Sequence, residues 1–200
     1  MVMTLYGVRT SPYVRHARIV LQQSNMAWQL KKATAEVMHL SPTRRVPFLI
    51  DEDLTLTDSS VIVRYVREKA KQSFLPTIAD QELFAMATSV LDTAVNVYLM
   101  NVGDTADLEA ITSGTSVIGF NPKTYFECQQ SRILTGIQGL NNFELSCDGP
   151  YTDAEIRLAC LLDWADYRNT IVLSGLDNLT HFLSGIRRWP LFAETAPSIR

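Results

Sequence analysis

Chemistry in this chain concentrates between Thr10 and Ser59. Val46-Pro47 stands at the entry to the apolar strand Pro47, Phe48, Leu49, Ile50, and an X-Pro bond there can be cis for about 0.5–1 kcal/mol. A cis bond would turn the Val46 backbone N–H and C=O outward, free to pair with an extended peptide as one more strand would. Asp58 and Ser59 open a segment with apolar Val61, Ile62, Tyr65 and Val66 at helical spacing, which makes Asp58 a natural N-cap. The unpaired N–H groups of such a helix start suit an anion. A peptide-like ligand bearing a carboxylate fits both halves. Ser11 precedes Pro12 at a second helix start, where its hydroxyl can meet a ligand or simply cap the helix. Arg44 and Arg45 lie just before Val46, as ligand contacts or as solvated loop residues. His16, set among Arg15 and Arg18 without a metal-like partner, reads as a solvated surface histidine.

The elements that must position these residues alternate. A strand over residues 2–6 is followed by a helix from Ser11 or Pro12 with Val14, Ala17, Val20 and Leu21 on its apolar face. Pro12 suits the first turn, where its missing N–H costs nothing. A strand over residues 27–31 and a short helical or irregular piece over 33–40 come next. Two further strands, 47–50 and 54–56, flank the acidic turn 51–53, and a helix opens at Asp58 or Ser59. Residues 72–80 form a linker whose Phe74-Leu75 pair can dock two domains. Beyond it strand-like alternation ends. Helical periodicity covers 82–99 and 123–143, and 103–122, rich in Thr, Ser and Gly, reads as an irregular connection. Thr152 and Glu155 make a capping box, with Tyr151 and Ile156 as its hydrophobic staple. Residues 176–189 and a short piece from Pro190 complete a helical second half. The expected division is 1–75, a linker over 76–83, and 84–200.

The 200 residues are 46% apolar and 20% charged, the composition of a globular protein able to bury a core. A net charge of −3 argues against nucleic acid as the main partner. Cys128, Cys147 and Cys160 form no C-x-x-C and have no histidine at ligand spacing, so neither a disulfide framework nor a zinc site is indicated. Met1 leads directly into the strand-like MTLYG without a signal peptide. No apolar run is expected to reach the roughly 18 residues of a membrane span. A reducing cytoplasm, without a membrane, is the expected setting.

VPFL followed by LTLTDSSVIVRYV resembles the glutathione-binding half of glutathione transferases, whose usual form is V-P-x-L, a short gap and L-x-E/D-S-x-A-I. The element order resembles the thioredoxin-like plan, and Ser11-Pro12-Tyr13-Val14 occupies the place of the glutaredoxin C-P-Y-C. Both cysteine positions are lost, and thiol–disulfide exchange needs a thiolate, so a disulfide reductase working through this turn is not expected. In bacterial and plant-type relatives with S-P-F or S-P-Y, the serine hydroxyl donates to the glutathione thiolate, a role the resemblance assigns to Ser11. Lowering a thiol pKa by about two units takes about 2.7 kcal/mol. One or two hydrogen bonds to a charged group, at about 1.5–3 kcal/mol each, suffice. Tyr6 and then Thr10 are the rival hydroxyls.

The resemblance further implies that the Val46 backbone pairs with the cysteinyl unit of glutathione and that Asp58 and Ser59 hold its γ-glutamyl end. Arg45 matches a basic position that can meet the glycyl carboxylate. Arg44 replaces a glycine, so a positive φ there would be strained. Tyr13, Tyr98 and Met100 stand either as walls of an electrophile pocket or as ordinary packing.

By this resemblance the chain is an α/β thioredoxin-like N-terminal domain plus an all-α C-terminal helical domain. It is identified as a cytosolic, bacterial-type glutathione transferase, a homodimer using glutathione as co-substrate and no metal. It would act on a small hydrophobic electrophile or a peroxide, in detoxification. The competing expectation is a non-catalytic interaction protein of the stringent-starvation type, which keeps the fold without the chemistry.

Overall fold

A computed structural model describes residues 2–102 and 122–197. The first domain is β1 (Met3–Gly7), α1 (Pro12–Gln23), β2 (Trp28–Lys32), a 3-10 turn (Met38–Leu40), β3 (Phe48–Asp51), β4 (Leu54–Leu56) and α2 (Ser59–Lys69). Its sheet has the order β2-β1-β3-β4. β1 runs parallel to β2 with Leu5 opposite Leu30, and antiparallel to β3 with Leu5 opposite Leu49. Strand alternation therefore places Met3, Leu5 and Leu49 on the face covered by α1 and α2, where they join Val14, Ala17, Val20, Ile62, Val63 and Val66. Tyr6 and its cross-strand neighbour Phe48 stack on the opposite face with ring centroids 4.5 Å apart. Gly7 ends β1 where the chain crosses α1, and a Cβ there would lie 2.4 Å from Val14 Cγ2. This close passage delivers the chain to Ser11.

The second part is helical: α3 (Ile78–Val102), α4 (Pro122–Leu140), α5 (Asp153–Arg168), α6 (Asp177–Ile186) and α7 (Pro190–Glu194). The arrangement is a small thioredoxin-like mixed sheet domain followed by a helical region. Residues 103–121 of the irregular connection anticipated over 103–122 lie outside the described residues, and Pro122 already opens α4. α3 packs on both α4 and α5. Contrary to the reading of the apolar runs, α3 is long and apolar enough, by length and composition, to cross a membrane. Its buried Leu83, Phe84, Ala87, Val90, Leu91 and Ala94 serve the helical core.

α5 is the centre of that core, buried continuously from Asp153 to Ala165. Its start is the capping box read from the sequence: Thr152 Oγ1 accepts from Glu155 N–H at 3.2 Å, and Glu155 Oε2 accepts from Thr152 N–H at 2.8 Å. Glu155 Oε1 also accepts from Ser146 N–H at 2.7 Å, tying the preceding loop to the helix.

The two parts meet along α1. Ile19 joins the helical core while its neighbours face the sheet. Phe74 packs against both cores and edge-on against Phe84, centroids 5.7 Å apart. The polar face of α1 is where the surface reading of His16 fails: Arg15, His16 and Arg18 are 2%, 0% and 5% exposed. Arg15 pairs with Asp163, donates from Nη2 to Phe192 O at 2.8 Å, and lies over the Phe192 ring. His16 Nε2 is 3.3 Å from Asp153 Oδ1. Arg67 of α2 reaches the same carboxylate through Nε and Nη2, each at 2.9 Å, and also donates to Gln23 and Gln72. A face that reads as polar and solvated in one helix is thus a domain interface.

Candidate functional site

Ser11 is the N-cap of α1, and Pro12 occupies the helix start. Its Oγ accepts from Val14 N–H at 3.3 Å. A hydroxyl has one proton and two lone pairs, so this bond leaves the proton free to be donated elsewhere. Capping and ligand contact are therefore compatible at one atom. Two residues on, Tyr13 OH donates to Asp92 Oδ1 of α3 at 2.5 Å, a bond across the two parts of the chain. Burial, reinforced by that hydrogen bond and the Asp92 charge, pushes the Tyr13 phenol far up, so it stays protonated as a donor.

The Val46-Pro47 bond is cis. The β1–β3 ladder begins at Phe48, which leaves Val46 outside it. Arg44 has φ 49°, the left-handed conformation that a glycine would adopt without penalty. The substitution is accommodated in an exposed loop that is held from inside: Ser41 Oγ, buried, donates to Arg45 O at 3.3 Å. Arg45 is exposed and close enough to act electrostatically on Tyr13.

At the start of α2, Asp58 Oδ1 accepts from Ser60 N–H at 2.8 Å and from Val61 N–H at 3.1 Å. Both cap bonds fall on Oδ1 of this exposed residue, which leaves Oδ2 without a hydrogen-bond partner among the described residues. Ser59 Oγ accepts from Arg157 Nη2 at 3.2 Å. Arg157 belongs to α5 and its guanidinium lies 5.7 Å from the Tyr13 ring and 4.8 Å from the Phe84 ring. One buried cation thus touches both the start of α2 and the start of α1.

The structure places Ser11, Tyr13, Arg45 and Ser59 around this meeting of helix starts. Of the rival hydroxyl residues, Tyr6 stacks its ring on Phe48, and Thr10 is half-buried in the turn before the cap. Tyr98 packs edge-on against Trp164, centroids 5.6 Å apart, and under Arg168, while Met100 is exposed. Sequence reading missed Arg157. Its signal was a single arginine between Ile156 and Leu158, inside a segment otherwise apolar on every side. A cavity of about 410 Å³ among Cys147, Pro150, Tyr151, Arg188 and Trp189 includes none of the site residues. Among the described residues no three His, Cys, Asp or Glu side chains form a metal-holding group.

A family model described as the glutathione S-transferase N-terminal domain matches residues 5–74. Among curated proteins, the stringent starvation protein A homolog of Pasteurella multocida is 33% identical over 73 residues, 34% of this chain and 34% of that protein. The chain therefore aligns with about a third of that relative's length. A glutathione S-transferase from Methylobacillus flagellatus, solved with glutathione bound, superposes with a TM-score of 0.78 at 21% identity, covering 98% of this chain and 100% of that one. A second, from Methylobacterium radiotolerans in complex with glutathione sulfonate, has a TM-score of 0.78 at 16% identity, covering 100% and 97%. Residues 5–74 thus match the glutathione S-transferase N-terminal domain model, and the chain as a whole has the glutathione S-transferase fold.

Proposed function

We propose that this chain is a glutathione transferase that binds glutathione across its first domain. The observation that carries the reading is the start of α2, where a free Asp58 carboxylate oxygen and a cation-backed Ser59 hydroxyl stand side by side. These are complementary groups for an α-ammonium and an α-carboxylate, the γ-glutamyl end of glutathione. The Val46 backbone outside the ladder supports pairing with the cysteinyl unit, and Arg45 suits the glycyl carboxylate. Ser11 then donates a hydrogen bond from its free O–H to the sulfur. The N-terminal dipole of α1 favours the thiolate further. The thiol proton leaves to solvent, and the thiolate forms a C–S bond with a small hydrophobic electrophile as a leaving group departs, or attacks a peroxide oxygen. That attack breaks the O–O bond to release an alcohol that takes its proton from solvent, and leaves a glutathione sulfenic acid that a second glutathione converts to the disulfide and water. The relatives' bound glutathione and glutathione sulfonate support the ligand class. A cytoplasmic homodimer acting in detoxification, without a metal, is the setting this reading carries.

A calorimetric titration with glutathione, paired with a conjugation assay on an aryl halide and a peroxidase assay on an organic hydroperoxide, tests it. Binding with either activity is the expected result, and neither binding nor activity overturns it. A second reading, a non-catalytic interaction protein, is favoured by the similarity of the first domain to stringent starvation protein A homologs. It expects a stoichiometric protein partner recovered by a chain indifferent to glutathione.

A further inference from the structure

Arg157 is fully buried, yet among the described residues its guanidinium has a single hydrogen bond, to the neutral hydroxyl of Ser59. Its Nε and Nη1 have no hydrogen-bond partner among the described residues. A buried cation held this sparsely is unfavourable for folding, and an apolar side chain of similar volume is commonly neutral or stabilising in its place. Its surroundings do not account for it. The Tyr13 and Phe84 rings lie against it. The charges of Asp58 and Asp92 reach it through space, but Asp58 caps α2 and Asp92 accepts from Tyr13. Cys160, also near, is held as a neutral thiol by burial, which pushes it up to about 11.

The contact with Ser59 has a direction. Because Arg157 Nη2 occupies a lone pair of Ser59 Oγ, the hydroxyl proton is free to point away from the core. Ser59 N–H, as the first helical amide, has no intrahelical acceptor. The first turn of α2 thus presents an O–H and an N–H together, with a full positive charge behind them. Ser59 itself is 7% exposed, which places it at the boundary between core and ligand.

We propose that Arg157 is a positioning residue which, acting through Ser59, makes the start of α2 selective for a ligand end carrying a free α-carboxylate. This rests on the glutathione reading. The bound carboxylate offsets the buried charge that the empty fold tolerates at a loss of stability.

The test compares glutathione with glutathione amidated at its γ-glutamyl α-carboxylate, by calorimetry, on wild type, Arg157→Met, Arg157→Lys and Ser59→Ala, with thermal melts of each. Wild type is expected to prefer the free carboxylate by roughly tenfold or more, the weight of a charge-assisted hydrogen bond. Arg157→Met should melt at or above the wild-type temperature while its preference collapses to about twofold or less, and Arg157→Lys should restore most of it. Ser59→Ala, at the edge of the core, should lose the preference as Arg157→Met does. An undiminished preference in Arg157→Met or in Ser59→Ala overturns the proposal, as does a wild type that binds both ligands equally. A wild type that binds neither overturns the glutathione reading itself.

Discussion

At the scale of residues, the account turns on hydrogen-bond capacity. Ser11 caps α1 with a lone pair and keeps a proton; Ser59 accepts from Arg157 and keeps a proton. The Asp153 carboxylate does the opposite and is fully engaged, by His16 and by two nitrogens of Arg67. Burial pushes that carboxyl up, but the hydrogen bonds from His16 and Arg67 outweigh it and hold the group below its ordinary value. Burial lowers His16 from 6.5 to about 4, so the ring is neutral in the fold and donates to Asp153. Both groups bind protons more readily in the unfolded chain, so acid favours unfolding. Stability contributed by His16 is complete above pH 6.5 and is lost as pH falls toward about 4. Urea midpoints measured against pH should fall across that window by the equivalent of a few kcal/mol. His16→Gln, which does not titrate, should flatten the window and leave the lower-pH fall due to Asp153 and Asp51, whose carboxyls are also held below their ordinary values.

At the scale of elements, α5 is the piece on which the others depend. Its capping box holds three backbone donors with two side chains, because Glu155 also secures Ser146. Thr152→Ala removes one capping bond and should destabilise by about 1 kcal/mol. Glu155→Ala frees two backbone N–H groups and detaches the preceding loop, so its loss should exceed that of Thr152→Ala. Chemical denaturation of the two variants checks the order. An equal or reversed order would show that the loop contact contributes nothing. The same box was legible in the sequence, as were the caps at Ser11 and Asp58, because capping is settled within four residues. His16 and Arg15 were not legible, since their partners Asp153 and Asp163 lie 137 and 148 positions away. The apolar run of α3 was underestimated because Glu82, Thr88, Ser89 and Asp92 interrupt it without breaking the helix.

At the scale of the whole molecule, a sheet domain and a helical region are joined by a buried polar network around Asp153, by Arg15 with Asp163, and by Phe74 wedged between the two cores. Such an interface should make the chain unfold as one cooperative unit. Asp153→Ala leaves Arg67 buried without its carboxylate, and breaking a buried pair in this way costs about 3–5 kcal/mol. Phe74→Ala, at a half-buried aromatic, should cost about 2–3 kcal/mol, below the range for a full core phenylalanine. Calorimetric melts report both; if either variant shows the wild-type midpoint, the interface is not what couples the two parts. The site occupies the same seam: its helix starts come from the first domain, and its backing cation comes from α5. That shared ownership is why motif reading could nominate Ser11, Val46, Asp58 and Ser59 as candidates but had no route to Arg157. Spacing along the chain carries no record of a contact 98 positions apart.

The proposed stabilisation of bound glutathione thiolate by Ser11 is tested by thiolate absorbance of the complex followed against pH in wild type and Ser11→Ala. Both proteins are expected to bind, with the bound thiol of wild type titrating about two units below its free value of about 8.5 and Ser11→Ala returning it most of the way. The same depressed pKa in both proteins would contradict it and move the activating group to Tyr6 or Thr10.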